Sequence, residues 1–123
     1  MVEFQTNAFK RALKEGRLQI GLWSSLCSNI AAEIISDSGF DWILLDTEHS
    51  PNEIPDLVSQ LQAVQRGTAT PIIRPAWNDA VLAKRALDIG AQTLLFPYVQ
   101  SVEEAKRRWP RRAIPRRESG GSR

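Results

Sequence analysis

"FDWILLDTEHSPN", residues 40–52, runs an apolar stretch straight into an aspartate, a glutamate and the single histidine of the chain. A buried strand needs such an apolar run, and the loop at its carboxyl end is where polar side chains can be presented rather than buried. The flanking segments repeat the plan. "LQIGLWS" (18–24) predicts a first strand, and "NIAAEIISDSG" a helix with Ile30, Ile34 and Ile35 on one face, stopped by Gly39. Residues 40–46 form the second strand. "SPNEIPDLVSQLQAVQRG" follows as a helix, with Leu57, Leu61 and Val64 at three- and four-residue spacing before Gly67. "TPIIRP" (70–75) reads as the third strand and "NDAVLAKRALDIG" as the third helix, closed by Gly90. "QTLLFPYV" (92–99) reads as a fourth strand, and "SVEEAKRR" opens a helix capped by Ser101, with Glu104 three residues on. Four strand–helix units in series predict parallel strands joined by helical crossovers.

Two architectures accommodate that series: an open doubly wound sheet, or the first four β/α units of a (β/α)₈ TIM barrel. The open sheet calls for a glycine-rich turn after the first strand, where a dinucleotide phosphate would sit. Here the turn reads "WSSLCSN", without glycine. Trp23, then Asp46 with Glu48 and His49, then Arg74, then Pro97 with Gln100 stand at successive strand ends. Reactive side chains at the carboxyl ends of strands are how barrel enzymes build their sites, so the barrel is the expected fold.

Composition narrows the remaining classes. At 123 residues, 42% hydrophobic and 24% charged, the chain has the make-up of one ordinary globular domain. No apolar run approaches the roughly 18 residues that span a bilayer, so no membrane association is expected. The amino terminus, "MVEFQTNAFKRALKEGRLQ", reads as an amphipathic helix and lacks the apolar core and cleavage site of a secretory signal. A lone cysteine, Cys27, permits no internal disulfide, which fits a cytoplasmic location. The net charge of +2 is unevenly spread: residues 1–105 hold 8 Lys+Arg against 13 Asp+Glu, whereas residues 106–123 hold 8 against Glu118 alone. The basic excess is confined to that tail, and a nucleic-acid partner is not expected for the acidic body.

Each candidate residue has more than one physical reading. His49 can be a solvated or capping loop residue, or a proton-transfer base with Asp46 and Glu48 close by to orient its ring. Arg74 can pair with a surface acid or present a bidentate fork to a carboxylate or an enolate oxygen. Asp46 and Glu48 can be solvated acids or oxygen donors to magnesium or manganese, although two loop carboxylates without a third ligand make a weak metal pattern. Trp23 and Trp42 are most simply packing residues.

"GLWSSLCSNIAAEIISDSGFDWILLDTEHSPNEI", followed by "PIIRPAWNDAVLAKRALDIGAQTLLFPYVQSVEEA", resembles the first half of a class II pyruvate aldolase of the HpcH/HpaI family, the 4-hydroxy-2-oxoheptanedioate aldolase type. The similarity covers about residues 4 to 105 and rests on "GFDW", "LDTEHSPN", "RPAWND" and "GAQTLLFPYVQ" together. It implies a (β/α)₈ barrel that makes or breaks the carbon–carbon bond between pyruvate and an aldehyde with a divalent metal, Mg2+, Mn2+ or Co2+, acting as Lewis acid. It matches His49 to the family's base, Asp46 to the acid supporting that base, Arg74 to the arginine holding the enolate oxygen, and Trp23 to an aromatic lining the substrate site. It implies a homo-oligomer for the full-length protein. The family's two metal carboxylates come from the second half of the barrel. Neither Glu48 nor Asp79 matches them, so no residue here is assigned as a metal ligand.

The tail departs from the family pattern after Ala105. Back-translated with permitted codons and read two bases further on, "KRRWPRRAIPRRESGGSR" can give "AAMAATRYPPPGIRGVA", which resembles the family's continuation. The expected organisation is therefore the amino-terminal half of an aldolase barrel over 1–105 and an out-of-frame basic tail over 106–123, the chain alone being an inactive truncated fragment. The competing expectation is a non-catalytic half-barrel that acts as an interaction module through its basic tail.

Overall fold

The computed structural model describes residues 6–108. Its elements run α1 (Ala8–Lys14), β1 (Gly21–Ser24), α2 (Asn29–Ser36), β2 (Trp42–Asp46), α3 (Ile54–Val64), β3 (Thr70–Arg74), α4 (Ala80–Asp88) and α5 (Val102–Arg108). The three strands form one parallel sheet in the order β1-β2-β3. Strand β2 lies at its centre, aligned so that Trp23 meets Leu44, Leu44 meets Ile72, and Asp46 meets Arg74.

Side chains alternate across a strand, so this register sorts the sheet into two faces. Ile43, Leu45 and Ile73 share one face and form a single buried cluster with Ala32 of α2, Leu57, Leu61 and Val64 of α3, and Ala86 of α4. All three crossover helices therefore cover the same face. Trp23, Leu44, Ile72, Asp46 and Arg74 belong to the other. The helical stripe read from Leu57, Leu61 and Val64 is buried as its spacing predicts.

Two expectations need correcting. Ile30 and Ile34 of α2 are exposed, and only Ile35 of the expected trio packs against the core. The buried face of α2 is instead lined by the small residues Ala32 and Ser36, because α2 lies close to the turn after α3. Thr68 and Ala69 both donate their backbone N–H to Ser36 O, at 2.9 and 3.1 Å. The strand expected over 92–99 is reduced to one parallel bridge, Ile73 to Leu94, with backbone bonds from Ile73 N to Thr93 O (3.1 Å) and from Leu95 N to Ile73 O (2.9 Å). Pro97 has no N–H to extend a ladder, and Tyr98 turns the chain away at φ 55°.

The approach of α2 to that turn explains Gly67. A Cβ placed there would lie 2.3 Å from the backbone carbonyl of Ser36, which cannot swing aside as a side-chain tip can. Gly67→Ala is expected to destabilise the chain by about 1–3 kcal/mol, the usual cost of overpacking. Thermal unfolding measures it, and an unchanged melting temperature would contradict the packing.

Helix α5 carries the expected cap, with Ser101 Oγ accepting from Glu104 N at 3.1 Å and Glu104 Oε2 accepting from Gln100 N at 2.7 Å. It runs without a break past Ala105 to Arg108, whose guanidinium bonds the side chain and carbonyl of Asn78. The rest of the basic tail lies outside the described residues. Among the described residues no helix is long and apolar enough to cross a membrane.

Candidate active site

The carboxyl end of β2 is held by a short buried relay. Asp46 O accepts from Asn52 Nδ2 at 2.8 Å and from the Ser50 hydroxyl, while Asn52 Oδ1 accepts from Gln60 Nε2 at 2.7 Å. Asn52 and Gln60 are both buried. Thr47 ties the same turn to the neighbouring strand, donating to Arg74 O from its N–H at 3.0 Å and from its hydroxyl at 2.7 Å. Unbonded amides in such a place would be costly, so the relay fixes the loop that carries Glu48 and His49. Asn52, Gln60 and Thr47 carry no reactive group that would flag them in the sequence.

Register, not sequence proximity, makes the central pair. Asp46 and Arg74 are aligned on adjacent strands and form a two-pronged ion pair, Nε to Oδ1 at 2.9 Å and Nη2 to Oδ2 at 2.7 Å. Trp23 donates its indole N–H to Asp46 Oδ2 at 3.1 Å and lies beneath the guanidinium, with Arg74 Cζ 4.6 Å from its ring centroid. The backbone N–H groups of Glu48 and His49 close the carboxylate's acceptor set at 2.9 and 3.4 Å.

Of the two carboxylates expected to orient the His49 ring, Glu48 stands beside it and Asp46 does not. Asp46 meets it only through the backbone, and the imidazole, 73% exposed, has Glu48 as its acidic neighbour, with Nε2 3.5 Å from Oε1. The orienting carboxylate expected of Asp46 is taken up by Arg74, because an aligned guanidinium on the next strand outcompetes an exposed ring in the loop. Glu48 also lies 2.8 Å from Arg74 Nη1. Trp23, Asp46, Glu48, His49 and Arg74 are thus one constellation, with Arg74 at its centre.

The electrostatics of Asp46 follow from its neighbours. Burial opposes its charge, but the hydrogen bonds from Arg74 first, then Glu48 N, Trp23 and His49 N, outweigh that and hold the carboxyl well below the usual carboxylate range. Arg74 is pushed further up, chiefly by its hydrogen bond to Asp46. With the folded value below the unfolded value of about 3.9, the stability contributed by ionised Asp46 is full above that pH and lost as pH falls further. The melting-temperature gap between wild type and Asp46→Asn should therefore hold steady over about pH 5–7 and narrow below about pH 4. A gap independent of pH down to about pH 2 would contradict the assignment.

The same contacts bear on a cation. Both oxygens of Asp46 accept from Arg74, and Glu48 is ion-paired to it. Among the described residues no group of three or more His, Cys, Asp or Glu side chains is disposed to hold a metal. The residues present do not by themselves fit a divalent-cation site. A cavity of about 650 Å³ opens among Thr70, Pro71, Gly90 and Gln92, at the amino end of β3 and away from this constellation.

The family model described as HpcH/HpaI aldolase/citrate lyase matches residues 19–121. A 4-hydroxy-2-oxo-heptane-1,7-dioate aldolase of Klebsiella pneumoniae is 56% identical over 100 residues, covering 81% of this chain and 38% of that protein. A pyruvate aldolase of Rhizobium etli is 56% identical over 105 residues, covering 85% of this chain and 41% of that protein. The crystal structure of an HpcH/HpaI aldolase/citrate lyase family protein from Burkholderia cenocepacia superposes with a TM-score of 0.78 at 41% identity, covering 81% of this chain and 40% of that one. The chain spans about two-fifths of the length of the curated relatives it matches.

Proposed function

The chain belongs to the HpcH/HpaI aldolase/citrate lyase family, and from that membership we propose that it carries the proton-transfer and oxyanion-holding half of a pyruvate aldolase site on a (β/α)₈ barrel. The reaction is the reversible cleavage of a 4-hydroxy-2-oxo acid to pyruvate and an aldehyde. The observation that carries this reading is that Glu48 contacts both an exposed imidazole, His49, and Arg74, whose guanidinium is fixed by Asp46 from the side and Trp23 from below. Three helices on one face of a parallel sheet support the barrel over the doubly wound alternative, which distributes helices to both faces.

In the cleavage direction the 4-hydroxyl proton leaves to a base, the C3–C4 bond breaks towards the 2-oxo group, and the resulting pyruvate enolate takes a proton at C3. His49, exposed on a loop that Asn52 and Ser50 hold, is the residue of this chain suited to moving those protons. Arg74 is permanently charged and already desolvated on one side, so it offsets the oxyanion charge at no cost in reorganisation. Trp23 walls the site beneath it. A divalent cation, Mg2+, Mn2+ or Co2+, belongs to the whole-protein proposal, with ligands in the part of the relatives' length that this chain does not span.

We propose likewise a cytoplasmic homo-oligomeric enzyme when full length, residues 1–105 as its amino-terminal half, and an out-of-frame tail over 106–123 that leaves the chain alone inactive. The family match runs in the given frame through that tail to residue 121, which weighs against an out-of-frame tail, and the DNA sequence across the Lys106 codon is the direct test. A second frame continuing through another half-barrel supports the frameshift, and a closed frame contradicts it. For the activity, the frame-restored protein is assayed for pyruvate release from 4-hydroxy-2-oxo acids. Release is expected, and its absence with every divalent cation and acid tried would overturn the reading.

A further inference from the structure

The charges around Arg74 do not balance. Asp46 and Glu48 bring two negative charges to one guanidinium, with side-chain exposures of only 2%, 9% and 17% for Asp46, Glu48 and Arg74. Asp46 alone suffices to pair Arg74, since it occupies the side-on edge formed by Nε and Nη2. A second buried carboxylate on the same cation costs desolvation without adding a needed partner, which a purely structural role does not explain.

Its geometry suggests what it does. Glu48 Oε2 is 2.8 Å from Arg74 Nη1, yet no hydrogen bond is aligned on that buried oxygen. The contact is ionic. It holds the guanidinium by charge. The other oxygen, Oε1, faces His49 Nε2 at 3.5 Å. Glu48 is itself placed by its backbone N–H, which donates to Asp46 Oδ1 at 2.9 Å. Among the described residues Glu48 is therefore the carboxylate whose two oxygens face Arg74 and His49 respectively.

We propose that Glu48 is a positioning residue of this site, a buried carboxylate that ties the oxyanion-holding Arg74 to the proton-carrying His49 and fixes their separation. This rests on the aldolase reading above. Neither residue's chemistry is done by Glu48; it sets where the cation points and where the imidazole lies.

The test uses the frame-restored whole protein and a pyruvate-releasing 4-hydroxy-2-oxo acid, with His49→Ala run alongside. Glu48→Gln keeps the shape and removes the charge. It is expected to lower kcat by about 10- to 100-fold, the scale of a misplaced reacting group, with KM changed less than about twofold. Glu48→Asp keeps the charge on a shorter stem and should recover part of the lost kcat. Circular dichroism and thermal unfolding of each variant separate this from loss of fold. Wild-type kcat in Glu48→Gln, a rise in KM with kcat unchanged, or a Glu48→Asp variant no better than Glu48→Gln would overturn the proposal. With His49→Ala inactive, those results leave the aldolase reading standing, whereas full activity in His49→Ala removes the reading itself.

Discussion

Arg74→Ala is expected to lower retro-aldol turnover of the frame-restored protein by about 100- to 1,000-fold, the usual loss when a preorganised oxyanion donor is removed. It should weaken the fold as well. Asp46 is 1% exposed and takes two hydrogen bonds from this guanidinium. Removing one partner of a buried pair leaves the other uncompensated, at a cost of about 3–5 kcal/mol. Trp23 would also lose the cation above its ring. Arg74→Lys separates the two effects: one ammonium keeps a charge near Asp46 but cannot reach Oδ1, Oδ2 and Glu48 Oε2 together. That variant should regain much of the stability and little of the turnover. Pyruvate release and thermal unfolding measure both quantities, and either variant turning over like the wild type would show that the site has been misassigned.

His49→Ala should separate the same quantities in the opposite sense. A proton-transfer residue contributes on the order of 100-fold or more, so turnover should fall by at least that much. Stability should stay within about 0.5 kcal/mol, because an exposed side chain whose one ionic contact is 3.5 Å long contributes little. The ring is 73% exposed and its one ionic neighbour is Glu48 at 3.5 Å. A large drop in melting temperature would mean that the imidazole is structural, and wild-type turnover would mean that the base lies elsewhere.

Much of the fold was legible because apolar periodicity reports which residues must leave water. "WILL" became β2, and Leu57, Leu61 and Val64 became the buried stripe of α3, as their spacing required. Ile30 and Ile34 misled for a physical reason. Four-residue spacing identifies one helical face, but it does not say whether that face meets the sheet, and the closeness of α2 to the turn at Gly67 selects Ala32 and Ser36 instead. The fourth strand failed because a ladder depends on N–H groups and φ angles that Pro97 and Tyr98 do not supply.

At the site, the residue types were legible and their pairing was not. His49 lies three residues from Asp46, which invites a local pair, but register places Asp46 opposite Arg74, 28 positions away. Nothing local encodes that alignment. The second carboxylate on Arg74, from Glu48, and the Asn52–Gln60 support beneath the loop are products of the same tertiary arrangement.

Exchange of the pyruvate methyl protons with deuterated water, followed by NMR, tests most directly whether these strand ends carry half of an aldolase site. The frame-restored protein with manganese or magnesium should exchange them, its His49→Ala variant should exchange at least about 100-fold more slowly, and the 123-residue chain alone should show no metal-dependent exchange. Exchange by the restored protein that is indifferent to His49, or metal-dependent exchange by the chain alone, would contradict the account.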